Sequence, residues 1–222
     1  MLRIIFIKKG WRSLKNIFKK IQTVVAENRI IFMWILLFFL IGVVLGSYTI
    51  YYMSEMGKVE IGGYFNNFLE YIKTTEIDYM SILLNSIKGI IPVVLIIILL
   101  GYTLIGFPFV LLINLFKGYI LGFTLSLVIT VLGVNGFGII FATLIIQNII
   151  FVPLIIMISI LSMKSSIEKL KSIRKEKNRS QINNKDYLMI QSIFMFFILI
   201  GIIIETYISP NLARIVISWE LS

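Results

Sequence analysis

The sequence has no cysteine, no histidine and few charges: 14% of its 222 residues are Asp, Glu, Lys or Arg. Without cysteine there can be no disulfide, no thiol nucleophile and no thiolate metal ligand. Without histidine the usual imidazole acid–base group and the commonest zinc ligand are also excluded. Acid is scarcer than base, with 11 Asp and Glu against 21 Lys and Arg. No G-x-x-x-x-G-K loop is present to cradle a phosphate. Neither an enzyme nor a bound metal or cofactor is expected.

What fills the space is apolar. Hydrophobic residues make up 59% of the chain and the mean hydropathy is +0.97, a membrane composition rather than that of a water-soluble domain. Residues 1–29 form a basic amphipathic segment with eight Lys and Arg and one acid, Glu27. Trp11, Leu14, Phe18, Ile21 and Val25 repeat in steps of three and four, as on one helical face against an anionic leaflet. The polytopic membrane domain follows, over residues 30–222. Its first span, about 30–52, is too long and too far in for a cleaved signal, so it is expected to stay as an anchor. It contains Gly42 and Gly46 in a GxxxG pattern, which lets helices approach closely in lipid.

The loop over 53–88 carries three basic and five acidic residues. In it Phe65, Phe68, Leu69 and Ile72 follow helical spacing, predicting a short amphipathic helix that lies at the outer interface or meets a partner. From Gly89 to Val134 there are 46 residues with one charge, Lys117. As a single helix these would reach about 69 Å at ~1.5 Å per residue, more than twice the hydrocarbon core. Two spans are therefore expected, about 90–113 and 118–134, with Lys117 at the turn where it can snorkel. Gly118 and Gly122 then open the third span as a second GxxxG face. The stretch containing Gly133, Asn135, Gly136 and Phe137 reads as a Gly-Asn turn. The fourth span, about 137–163, carries Gln147, Asn148 and Pro153. Two readings stand: a proline kink with interhelical amide bonds, or a broken helix lining a polar cavity. A basic loop over 164–187 leads to the last span, about 188–208.

Five spans with a cytoplasmic N-terminus put 17 of the 21 basic residues inside and four outside, as the positive-inside rule requires. The C-terminus is then extracytoplasmic, and the basic charge needs no nucleic acid to explain it. The fold class expected is an all-α integral membrane bundle of about five helices, with the lipid bilayer as its solvent and a glycine face on offer for a homodimer.

The stretch Phe116–Met157 resembles the stage II sporulation protein M family. The likeness rests on Lys117, Gly118, Gly122, Phe123, Thr124, Gly133, Asn135, Gly136, Phe137, Gln147, Asn148 and Pro153. A second match is the ending Glu205, Tyr207, Ser209 and Pro210; Ile146 departs, standing where the family pattern has a proline. The resemblance implies a scaffold of the forespore-engulfment machinery in the mother-cell septal membrane. Its implied partners are the peptidoglycan hydrolases stage II sporulation proteins D and P. The alternative is a small-solute channel or transporter with a path lined by Gln147 and Asn148.

Overall fold

In hydrocarbon an unpaired backbone amide has no water to turn to, so long apolar runs close their hydrogen bonds internally as helices. The computed structural model describes residues 26–133, 138, 144–173 and 184–220. Among the described residues six helices follow in order: α1 (Arg29–Tyr51), α2 (Glu55–Thr74), α3 (Tyr79–Leu100), α4 (Gly106–Leu132), α5 (Ile146–Ile173) and α6 (Asn184–Glu220). All but α2 are long and apolar enough to cross a membrane. The all-α, five-span bundle expected from the sequence is the fold adopted. The N-terminal amphipathic segment up to residue 25 lies outside the described residues, as do residues 174–183 of the basic loop expected over 164–187. The rest of that loop is helical, 164–173 continuing α5 and 184–187 opening α6.

Lipid tails are as apolar as leucine, so these helices are held by close packing more than by the hydrophobic effect. The seam between α1 and α4 is the tightest case. A methyl group on Gly42 would strike the Leu115 carbonyl, and one on Gly46 that of Tyr119. In return, Gly118 lies against the Phe39 carbonyl and Gly122 against that of Val43. Residue numbers rise together along both helices, so α1 and α4 run parallel. The two GxxxG faces are thus used on each other within one chain, and a homodimer would need another surface. Helix α5 is central: 61% of its most apolar window is buried, against 17–33% for the other spans.

Several boundaries differ from the sequence reading. The α3–α4 turn is at residues 101–105, and Lys117 lies inside α4, 11 residues beyond Gly106. The turn is stable there because its backbone groups find partners. Tyr102 and Thr103 donate to the carbonyls of Leu99 and Leu100. Ser165 Oγ donates to the Gly101 carbonyl at 2.9 Å, and the Phe107 amide donates to Ser166 Oγ at 3.1 Å. A half-buried lysine is tolerated because it lines a cavity.

The stretch over 53–88 is mostly helical. Ser54 caps α2 by accepting from Gly57, and Asp78 caps α3 by accepting from Met80 and Ser81. The last helix passes through Pro210 to Glu220 rather than ending at residue 208, and its far end supports α2. There Leu69 and Ala213 are buried together, flanked by Phe65, Ile72, Leu132 and Val216. The Arg214 guanidinium donates to the Ile72 carbonyl at 3.2 Å and to that of Thr75, at the C-terminal end of α2.

Candidate functional site

A polar tract runs inside the bundle. One of its charged groups is Lys117, which lines a cavity of about 260 Å³ with Asn114, Thr124, Gln147 and Asn148, between α4 and α5. Asn114 is fully buried. Its Nδ2 donates to the Val110 carbonyl and to Ser159 Oγ, both at 2.8 Å, while its Oδ1 has no partner. From α5, Gln147 donates to Glu205 Oε1 of α6 at 2.6 Å, leaving Glu205 Oε2 buried without a partner. Asn148 turns back onto its own helix and donates to the Leu144 carbonyl at 2.7 Å.

A second cavity, about 530 Å³, adjoins the first at the α2 end, and both are lined by Thr124 and Leu144. Its walls include Glu205, Ser209 and Pro210 of α6, and Phe65, Phe68, Leu69 and Ile72 of α2. The Glu205–Pro210 ending and the amphipathic segment of α2, 133 or more residues apart in sequence, therefore share one groove.

Of the other residues singled out, Phe123 stacks on Tyr119 at 6.2 Å and Tyr207 on Tyr79 at 5.2 Å. Thr124 Oγ1 donates to the Ile120 carbonyl at 2.8 Å. Gly133 ends α4 with φ of 58°, a left-handed conformation that suits glycine. Asn135, Gly136 and Phe137 lie outside the described residues. Helix α5 runs unbroken through Pro153, so the broken-helix reading fails there, although its amide pair does face a cavity. The face of α2 proposed for a partner is mainly the one spent on the bundle. Leu69 is 4% exposed, whereas Phe68 is 55% exposed.

One network has no counterpart in the sequence reading. Ser159, Ser162, Ser165 and Ser166 form a buried stripe along α5. Tyr187 OH shares a 3.0 Å hydrogen bond with Ser162 and donates to the Ile98 carbonyl at 2.8 Å. Gln191 donates to Ser162 Oγ at 3.1 Å and to the Ile158 carbonyl at 3.3 Å. The available signal was serine at steps of three and four within an apolar helix, which marks a polar seam between helices. This seam closes the end of the bundle opposite α2.

Chemically, the tract offers one amine, one carboxyl group and several amides. Among the described residues no ion pair joins Lys117 to Glu205, and no group of three His, Cys, Asp or Glu could hold a metal ion. The arrangement suits binding and helix association.

No curated protein and no solved structure matches the chain. The family model described as stage II sporulation protein M matches residues 35–210, which span α1 to the proline of α6. The chain belongs to the stage II sporulation protein M family, and is a multi-pass membrane protein with a role in sporulation.

Proposed function

We propose that this protein is a non-enzymatic membrane scaffold of the engulfment machinery. It holds the septal peptidoglycan hydrolases, stage II sporulation proteins D and P, in the mother-cell membrane as that membrane migrates around the forespore. The N-terminus is cytoplasmic, and α2 lies on the extracytoplasmic face, where the wall is cut. Family membership supports the sporulation role. The observation that carries the scaffold reading is α2 itself, a helix held firmly on the bundle by Leu69 and Arg214. Its outer face stays free: Met56, Tyr64 and Tyr71 are 84%, 70% and 63% exposed. Exposed tyrosines on a rigid support suit a protein contact. A conducting path, the other reading, would have to cross the Asn114–Ser159 hydrogen bond and the Tyr187 network beneath it.

The experiment is localisation. Deleting the gene should leave both hydrolases made but dispersed from the septum, and unchanged septal fluorescence of both would refute the scaffold role. Charged substitutions at Tyr64 and Tyr71 should disperse them while the protein itself still accumulates in the membrane.

A further inference from the structure

We propose that the cavity between α4 and α5 is a water-filled pocket, entered from the extracytoplasmic side, that takes a small organic anion at Lys117. A lysine at the centre of a spanning helix is costly to insert unless it meets water or a counter-charge. Lys117 lies about 16 Å along α4 from Gly106 at ~1.5 Å per residue. Among the described residues it has no acidic partner. It lines a cavity of about 260 Å³, far above the ~15 Å³ that admits one water.

Thr124 and Leu144 line both this cavity and the 530 Å³ groove beneath α2, and the route in is from that neighbouring groove. Asn114 Oδ1 and Glu205 Oε2, both buried and unpartnered, mark the two ends of the tract; orphaned polar atoms of this kind call for water or ligand. The floor is closed by Asn114 on Ser159, so the pocket is a dead end and not a channel. Phe39 of α1, Ile90 of α3 and Phe151 of α5 wall it in. A partner's helix, about 10 Å across, has no room, whereas a small carboxylate or sulfonate does. The pocket goes beyond the scaffold role and does not depend on it.

The chain has no native cysteine, so single cysteines can report on access. Leu121→Cys and Thr124→Cys would be reacted with an anionic ethylsulfonate thiosulfonate and with a trimethylammonium thiosulfonate of similar size. Exposed Asn67→Cys on α2 normalises the rates. Each reagent is added outside cells and outside liposomes holding the purified protein. At Leu121→Cys the sulfonate should react about tenfold faster than the ammonium reagent, as one nearby positive charge dictates. Lys117→Gln should bring the ratio near one, Lys117→Arg should retain it, and acetate should slow the sulfonate. If Lys117→Gln fails to accumulate, acetate competition on the unaltered lysine decides. No reaction at either cysteine while Asn67→Cys reacts would overturn the pocket. Equal rates for the two reagents, or no effect of acetate, would overturn anion binding. Protection in cells but not in liposomes would assign the cavity to a protein segment and overturn the small-anion ligand.

Discussion

Gln147 of α5 donates a 2.6 Å hydrogen bond to the carboxyl group of Glu205 of α6, joining two residues 58 apart in sequence. The bond fixes the register of the last span on the central helix and sets the wall between the two cavities. Gln147→Leu removes the 2.6 Å donor from the carboxyl group and should destabilise more than Glu205→Gln, which can still accept the bond. A double-mutant cycle read by unfolding in mixed micelles should give a coupling of about 0.6–1.7 kcal/mol, the range for bonds between membrane helices. A coupling of zero would mean the pair is not formed in the bilayer.

The α1–α4 seam predicts an ordered glycine series. Gly42→Ala and Gly118→Ala force a methyl onto a facing carbonyl and should each destabilise by about 1–3 kcal/mol. Gly63→Ala in α2 meets nothing and should be neutral or stabilising by about 0.5–1 kcal/mol. Thermal unfolding followed by circular dichroism orders them; equal effects at all three positions would show that the seam is not backbone-tight.

At the opposite end of the bundle, Tyr187→Phe removes the hydroxyl that meets Ser162 and the Ile98 carbonyl. The loss should be about 0.5–1.5 kcal/mol, with faster amide exchange near residues 98–103. Exchange unchanged from the parent chain would take the network out of the account of why the turn lies there.

Arg214→Ala should release the C-terminal end of α2, since the guanidinium donates to the carbonyls of Ile72 and Thr75. Amide exchange should rise over residues 70–76 and stay unchanged in α4. Protection equal to that of the parent chain would show that the Leu69 cluster holds α2 alone.

The α3 N-cap predicts an acid response. Asp78 is held below the ordinary carboxyl value of 3.8, chiefly by the Ser81 hydroxyl and also by the Ser81 and Met80 amides. A depressed folded-state value means the cap contributes above 3.8 and is lost as pH falls through the lower folded value. Protection at residues 79–82, taken relative to the intrinsic exchange rate at each pH, should therefore be flat from neutral pH down to about 4 and fall below it. Asp78→Asn should remove the step; a step that persists belongs to another group.

Composition and periodicity alone determined that this is a five-span helical membrane protein, because a bilayer admits few other solutions for long apolar runs. They also picked out both GxxxG faces and, of the polar tract, Lys117, Gln147, Asn148 and Glu205, but not the buried Asn114. Partners across space were not legible. Nothing in Gly42 or Gly118 says that each is the other's seam, and nothing in Gln147 names Glu205. Lys117 shows the limit most plainly. Judged by its insertion cost it belongs at a turn, and only the tertiary structure puts a cavity beside it and so lets it remain in mid-span. The Gly101–Ile105 turn was hidden for the same reason, since its backbone is satisfied by Ser165 and Ser166 some 60 residues away. Local sequence sets which groups must be satisfied; which neighbours satisfy them is decided when the helices pack.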